Sequence, residues 1–135
     1  MSQIGQIVHF EKIGNDTIGY LSIAQAQEKV PFRIQRVYWV SDVPKNVKRG
    51  GHANVKNQQV LIAVAGTIEV SLTDRSGISQ KHVLNNSGEG LVVPNLIWKE
   101  IVFQSHQAVL LSISSEEFDE DDYLRDFEKF LTYDK

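Results

Sequence analysis

A histidine and two arginines in the first half of the chain have side chains that could transfer protons or bind phosphate. The stretch RGGHAN places Arg49 three residues before His52, with Asn54 two residues further on. An imidazole has an ordinary pKa of about 6.5, so it can take up and return a proton near neutral pH. The guanidinium groups of Arg49 and Arg36 offer fixed paired donors that match phosphate oxygens. Without further context, a lone strand histidine is more often structural than catalytic.

A lysine and two aromatic residues extend this set. The ammonium group of Lys99 can stabilise a developing oxyanion. It can act as a base only if burial lowers its pKa well below about 10.4. Tyr38 and Trp98 can stack on a flat ring of a ligand, although a tryptophan beside a strand is more often part of a core.

The spacing around His52 has the frame of a cupin motif, G-x5-H-x-H-x3,4-E-x6-G. His52 occupies the first histidine position, and Asn54 stands where the second histidine is expected. Gln58 or Gln59 falls at the glutamate position, and Gly66 closes the motif. Asn54 cannot exchange protons, but its amide can donate a hydrogen bond.

The second cupin motif, G-x5-P-x-G-x2-H, is also traceable. It runs from Gly88 through Pro94 and ends at Lys99 instead of histidine. A divalent metal needs several deprotonated nitrogen or oxygen ligands, whereas this set holds one histidine, two amides and an ammonium. We therefore expect no metal and no other cofactor. The remaining histidines have no ligand spacing and are expected on the surface or on strand faces: His9, His82 and His106.

These residues are carried by short strands separated by turns. TIEVSLTD alternates apolar and polar residues, QVLIAVAG is a continuous apolar run typical of a buried strand, and FRIQRVYWV places Arg36 and Tyr38 on one face with Phe32. Residues 41–51, with Pro44 and the Gly50-Gly51 pair, are predicted to form a loop. The pattern favours an all-β sandwich or barrel.

The C-terminal segment 116–135 has a different pattern. An acidic cluster precedes apolar residues at helical spacing, from Tyr123 to Leu131. Because carboxylates are favoured at a helix start, we predict an acidic-capped amphipathic helix over 116–135, packed on the strands. A calcium site is the alternative, but the spacing and glycine of an EF-hand loop are missing.

The composition is that of an ordinary globular domain. The 135 residues are 41% hydrophobic and 23% charged, carry a net charge of −3 and include no cysteine. One domain over 1–135 is expected from this length. Disulfides and thiolate catalysis are excluded. A nucleic-acid-binding role is not indicated, because such proteins present a basic face, whereas this chain has a net negative charge and scattered lysines and arginines. Neither a signal sequence nor an apolar stretch of about 20 residues is found, so we expect no membrane contact and a cytoplasmic location.

Beyond the cupin frame, five runs resemble the sugar nucleotide 3,4-ketoisomerases, the WxcM-like (FdtA/QdtA-like) cupins. They occur in the family's order over nearly the whole chain: PFRIQRVYWVSD, RGGHAN, QQVLIAVAGTIEVSLTD, GLVVPNLIWKEI and EEFDEDDYLRDFEKF. The resemblance implies a metal-free cupin-type jelly-roll barrel or sandwich with a short C-terminal helix. It also implies a homodimer with exchanged N-terminal strands, and a dTDP-linked deoxysugar bound inside each barrel.

The same resemblance suggests roles for individual residues. Family members convert dTDP-4-keto-6-deoxyglucose on the way to 3-amino-3,6-dideoxy sugars of surface polysaccharides. Their motif reads His-Ala-His, whereas this chain has Asn54, and Lys99 replaces a histidine or arginine that differs between members of different product stereochemistry. A further residue that helps to set that stereochemistry falls near 17–20, with Tyr20 as the candidate.

On this basis His52 is the expected base and Lys99 its electrostatic partner. The expected substrate-binding residues are Arg36 and Arg49 for the pyrophosphate, Tyr38 and Trp98 for stacking, and Asn54, Gln59 and Tyr20. The alternative is a non-catalytic or repurposed nucleotide-sugar-binding cupin, which the changes at Asn54 and Lys99 favour. A metal-dependent oxygenase is disfavoured by the missing ligands, and a 3,5-epimerase by the lack of a recognisable His-Asp relay.

Overall fold

The chain folds almost entirely into β-strands in a computed structural model that describes residues 3–134. The elements are β1 (Gln6–His9), β2 (Glu11–Asn15), β3 (Gly19–Ile23), β4 (Arg36–Val40), β5 (Lys48–Asn54), β6 (Gln59–Ala65), β7 (Ile68–Thr73), β8 (Ser79–Leu84), β9 (Glu89–Val93), β10 (Trp98–Phe103), β11 (Val109–Ser114), a 3-10 turn (Glu120–Asp122), β12 (Tyr123–Leu124) and α1 (Phe127–Leu131). The all-β prediction with a short C-terminal helix is confirmed.

Two five-stranded sheets face each other. The first has the order β1-β9-β6-β11-β4 and the second the order β12-β5-β10-β7-β8, while β2 and β3 form a separate hairpin. The pairings between these strands are antiparallel. The architecture is therefore a sandwich of two packed sheets rather than a closed barrel.

The core between the sheets follows the sequence pattern. In β7, Ile68, Val70 and Leu72 are fully buried, as their alternation predicts. They meet Leu61 and Phe103 within one apolar cluster. Fully burying a side chain of this size stabilises the fold by about 1.5–3 kcal/mol, so the alternating positions fix which face of each strand points inward.

Strand β6 is buried on both faces, which explains its continuous apolar run. Leu61 and Ala63 face the core between the sheets. Val60 and Ile62 face the other way and pack under Phe10 and neighbouring side chains that cover the outside of the first sheet. The predicted buried strand is confirmed.

The glycine pair in RGGHAN belongs to a strand, so the loop predicted for residues 41–51 ends too late. Strand β5 already begins at Lys48. Gly50 and Gly51 have φ angles of 86° and 73°, and the register against β10 shifts beside them, so that Glu100 faces Gly50 while Lys99 faces His52. The glycines form a bulge inside the ladder, a use of positive φ that the sequence pattern does not distinguish from a turn.

The helix predicted over 116–135 is likewise wrong in extent, because α1 spans only Phe127–Leu131. Its N-terminal cap is the side chain of Asp126, which accepts from the amide of Lys129. The acidic residues Glu120–Asp122 form the 3-10 turn, which is capped by Asp119. Tyr123 and Leu124 follow as β12, which pairs with β5. The carboxylates do cap, as predicted, but they cap a short turn and a later helix.

No helix among residues 3–134 has the length and apolar character needed to cross a bilayer.

Candidate active site

A cavity of about 80 Å³ lies between the two sheets, and we call it the inter-sheet cavity. Its lining comes from β4 and β11 on one side and from β5 and β10 on the other: Tyr38, Val40, Leu110, Arg49, Gly50, His52, Ile101 and Phe103. At about 30 Å³ per water molecule, this volume equals only a few waters. It can therefore take the reacting end of a ligand, while a larger remainder must extend past the exposed Arg49.

His52 enters this cavity from the bulged end of β5. Burial lowers its pKa to about 4, and the charge of Lys99 lowers it too. The imidazole is therefore neutral at neutral pH and available as a proton acceptor. Its ring lies 4.9 Å from the ring of Tyr123, centroid to centroid, so that Tyr123 covers it from the C-terminal segment.

Lys99 stands directly opposite His52 in the β5–β10 ladder. It lies on the same face of β10 as Ile101, which lines the cavity, and only 2% of it is exposed. Burial lowers the pKa of Lys99 to about 8, while the nearby Asp122 carboxylate acts to raise it. A lysine with this pKa is an ammonium at neutral pH but can give up its proton far more readily than an exposed lysine.

A chain of hydrogen bonds connects Lys99 to Asp122 through Asn54. The ammonium Nζ donates to Asn54 Oδ1 at 3.1 Å, and Asn54 Nδ2 donates to Asp122 Oδ2, also at 3.1 Å. Asp122 is held in turn by the backbone amides of Lys56 at 2.7 Å and Asn57 at 3.2 Å. Because a carboxylate only accepts, the amide of Asn54 has one possible orientation. Its oxygen is committed to Lys99, and its nitrogen to Asp122.

Gln59 and Tyr38 form a second polar group, which reaches across three neighbouring strands. Gln59 Nε2 donates to the Tyr38 hydroxyl at 3.0 Å and to Ser112 Oγ at 2.7 Å. The other end of that amide, Gln59 Oε1, is buried without a hydrogen-bond partner among residues 3–134. A buried unpaired acceptor is costly, so this oxygen is positioned to accept from a ligand hydroxyl or a water.

Arg36, at the start of β4, has a buried N–H donor, its Nε, without a hydrogen-bond partner among the described residues. The guanidinium carbon lies 5.4 Å from the ring centroid of Tyr38 and 5.7 Å from that of Phe118. A purely structural arginine would pair with a glutamate on another strand, such as Glu69 or Glu100. Glu69 contacts Lys81 and Gln104 instead, and Glu100 contacts Lys48 and Trp98. Arg36 therefore remains suited to an anionic ligand.

Two of the residues expected to bind substrate lie away from this cavity. Trp98 points to the outside of the second sheet, where its ring packs 5.1 Å from Phe127 and 5.7 Å from Phe130. Tyr20 lies on the exposed β2–β3 hairpin, where its hydroxyl donates to Asp16 at 2.6 Å. The first is a core residue under α1, and the second does not meet the cavity of its own chain.

The structure brings in two residues that the sequence did not single out, Asp122 and Tyr123. Both were assigned to the predicted C-terminal helix. The pairing of β12 with β5, which sets Tyr123 opposite Asn54, brings Asp122 into contact with Asn54 and Tyr123 into contact with His52. The acidic composition of the segment gave no signal for which carboxylate is buried.

A metal site is not formed by the residues around His52. Within residues 3–134, no three histidine, cysteine, aspartate or glutamate side chains are grouped so that they can hold a metal ion. The ladder partner of His52 is the ammonium of Lys99, and the next side chain on the same face of β5 is the amide of Asn54. The ammonium repels cations, and the amide is a weak neutral ligand.

Comparison with known families shows which family the chain belongs to. Residues 3–135 match the family model FdtA, described as WxcM-like, C-terminal. The chain belongs to this FdtA family. A curated relative from Aneurinibacillus thermoaerophilus, TDP-4-oxo-6-deoxy-alpha-D-glucose-3,4-oxoisomerase, is 34% identical over 128 residues, which cover 95% of this chain and 91% of the relative. The predicted family is thereby confirmed.

Solved structures of similar proteins agree with the FdtA assignment. QdtA, a sugar 3,4-ketoisomerase from Thermoanaerobacterium thermosaccharolyticum in complex with TDP, is 31% identical and superposes with a TM-score of 0.91, covering 97% of this chain and 94% of that one. A histidine-to-asparagine variant of the same QdtA, in complex with TDP-4-keto-6-deoxyglucose, is 30% identical, with a TM-score of 0.90 and the same coverage.

Proposed function

We propose that this protein is a dTDP-4-keto-6-deoxyhexose 3,4-ketoisomerase, an enzyme that moves the ketone of a nucleotide-linked sugar from C4 to C3. The observation that carries the proposal is the cross-strand pair of His52, which lines the inter-sheet cavity, and Lys99, which stands opposite it on β10. It supplies a neutral base and a cationic group side by side within a family whose relatives above are named as such isomerases.

The reaction needs little beyond these two groups. The carbonyl at C4 acidifies the proton on C3, so a neutral imidazole can remove it. His52 is the proposed base. The resulting enediolate carries negative charge on an oxygen, and the ammonium of Lys99 is the proposed stabiliser of that charge. No metal or other cofactor is required in this scheme.

The ligand is proposed to lie with the reacting carbons of its sugar in the cavity and its diphosphate at the rim. The size of the cavity supports this, since it excludes a whole nucleotide. Arg49 on the rim and the unpaired donor of Arg36 are the proposed phosphate contacts. Gln59 Oε1 and the Tyr38 hydroxyl are proposed to meet sugar hydroxyls.

A homodimer with exchanged N-terminal strands is part of the proposal. Apolar side chains that a lone chain leaves in solvent support it, among them Ile18 at 80% exposure on the β2–β3 hairpin and Trp39 at 66% on β4. Strand β4 is also at an edge of the first sheet, where its backbone can pair with another chain. Tyr20, on the same hairpin, would then reach the partner subunit. Light scattering that gives the mass of one chain would contradict this.

The rival function is a nucleotide-sugar-binding domain without turnover. It is favoured by one observation, the commitment of Asn54 to Lys99 and Asp122, which leaves one imidazole at the cavity. The histidine-to-asparagine variant of QdtA was crystallised with TDP-4-keto-6-deoxyglucose, so in that protein an asparagine is compatible with binding the substrate.

Two measurements separate the candidates. Incubation with TDP-4-keto-6-deoxyglucose should give the NMR signals of a 3-keto sugar, and a thermal-shift panel should show stabilisation by dTDP but not by UDP or GDP. Stabilisation without product would favour the binding domain, and neither result would reject both. We place the reaction in the cytoplasm and in the synthesis of deoxyaminosugars for surface polysaccharides.

A further inference from the structure

A 3,4-ketoisomerase must move two protons, and the two positions differ chemically. One proton leaves C3 and another arrives at C4. A second proton leaves the hydroxyl oxygen O3, and another arrives at the former carbonyl oxygen O4. Two groups that can exchange protons stand opposite each other on the neighbouring strands β5 and β10: His52, which lines the cavity, and Lys99, its ladder partner. The amide between Lys99 and Asp122 cannot exchange protons.

Resting on the proposed function, we propose that Lys99 is a catalytic residue that carries the hydroxyl proton from O3 to O4, and that Asp122 is the positioning residue that aims it through Asn54. Lys99 would thus do more than stabilise charge, and a carboxylate outside the predicted site would control it.

The positions of Lys99 and His52 support the proposed role of Lys99 in proton transfer. Lys99 and Ile101 are two residues apart on β10 and so share a face, and Ile101 lines the cavity. The bulge at Gly50-Gly51 sets His52 directly across from Lys99. An imidazole and an amine held in this way can address neighbouring atoms of one sugar.

The proton balance closes without an outside reactant. Neutral His52 takes the C3 proton, the electrons of that bond form the C3=C4 double bond, and the carbonyl electron pair moves to O4, which takes a proton from the Lys99 ammonium. The neutral amine of Lys99 then takes the O3 proton as the C3=O bond forms. The double-bond electrons take the proton of the His52 imidazolium at C4. Both residues end as they began.

The hydrogen bonds to Asp122 support its proposed role in positioning Lys99. Asp122 is fixed by two backbone amides and accepts from Asn54 Nδ2, which leaves Asn54 Oδ1 facing Lys99. This fixes the direction of one Lys99 N–H and leaves the other two for the ligand. An isolated asparagine would be free to turn its amide over, and Lys99 would then lose its acceptor.

Protonation states agree with these roles. Among residues 3–134, the charged and titratable groups shown to act on or pair with Lys99 are His52 from β5 and Asp122 from the 3-10 turn, whereas β7 presents Leu72. The charge of Arg125 acts on His52 and also lowers its pKa. The pKa of His52 is about 4 and that of Lys99 about 8, so at neutral pH the base is neutral and the acid protonated. Two environments that push pKa values apart in this way define an acid and a base.

The Lys99→Arg variant tests proton transfer against simple charge. A guanidinium keeps the positive charge but does not release a proton at accessible pH. With TDP-4-keto-6-deoxyglucose followed by NMR, we expect kcat to fall by about 100-fold or more, with the affinity for dTDP kept within a few-fold. A Lys99→Arg enzyme with more than a third of the wild-type kcat would overturn the role of Lys99.

The Asp122→Asn variant tests positioning, and it also serves if Lys99→Arg does not fold. Loss of the carboxylate lowers the pKa of Lys99, because Asp122 acts to raise it. The alkaline limb of kcat/KM must then move to lower pH, whereas a merely structural defect lowers activity equally at all pH values. An unmoved limb would overturn the inference. Wild-type protein that binds dTDP without turnover would instead reject the proposed function and this inference with it.

Discussion

His52 and Lys99 are direct partners in the β5–β10 ladder, and a two-glycine bulge in β5 makes them so. Without the register shift beside Gly50, the partner of Lys99 on β5 would be a glycine and His52 would lie one position further along. Both groups are desolvated in the same place, which lowers both pKa values while leaving them about four units apart. The bulge is therefore the backbone feature on which the proposed chemistry depends.

The first prediction concerns activity at acid pH. The base must be neutral, and an ordinary imidazole protonates below about 6.5. Since the folded pKa of His52 is about 4, we expect kcat/KM to stay flat from pH 7 to about 5 and to fall only near pH 4. Initial rates in overlapping buffers measure this, with circular dichroism as a control for folding. A limb near pH 6.5 would contradict a desolvated His52.

Removing the imidazole is the second prediction. We expect His52→Gln to lower kcat by about 10²–10⁴-fold, the usual contribution of a general base, with little change in dTDP affinity. His9→Gln is the matched control, because His9 is an exposed strand residue whose ring lies 3.4 Å from the half-buried carboxylate of Glu89, away from the residues that line the cavity. Equal rates for both variants would remove His52 from its role.

The bulge gives a third prediction, in stability and activity together. A Cβ at Gly50 would lie 2.8 Å from the backbone oxygen of Lys99, whereas one at Gly51 would meet nothing within 4 Å. Both positions have positive φ, so both alanine variants carry similar backbone strain of about 1–3 kcal/mol. We expect Gly50→Ala to unfold at lower denaturant than Gly51→Ala and to lose activity. Equal midpoints would mean that the close approach has no energetic weight.

Much of the sandwich was predictable because burial imposes a period of two on half-buried strands. The alternation in β7 and the apolar run of β6 mark their strands on their own. The bulge and the buried Asp122 were not predictable, because a glycine pair and an acidic run have the same composition whether they form a turn, a cap or a buried contact. Their positions depend on β5 meeting β10 and β12, pairings of residues 47 to 71 positions apart that no local pattern encodes.

Trp98 supplies the fourth prediction, a separation of stability from binding. Its ring packs under α1 and its Nε1 donates to Glu100 Oε2 at 3.2 Å, on the face of β10 opposite to the cavity. We expect Trp98→Phe to lower the free energy of unfolding by about 1–2 kcal/mol and to leave KM unchanged. Tyr38→Phe should instead raise KM and change the free energy of unfolding less, because it removes the hydroxyl that Gln59 binds at the cavity. A raised KM in Trp98→Phe would return that ring to the ligand site.

The last prediction addresses the phosphate contact at the rim. A hydrogen bond to a charged group contributes about 1.5–3 kcal/mol, so Arg49→Gln should weaken dTDP binding by about 10–100-fold. Lys48→Gln is the matched control: it removes the same charge one residue earlier, from a side chain that reaches Glu100 at 3.3 Å instead. Titration calorimetry at two salt concentrations measures both variants, because a phosphate contact weakens with salt. If the two losses are equal, the general positive charge of the rim binds the nucleotide, and Arg49 has no specific part in it.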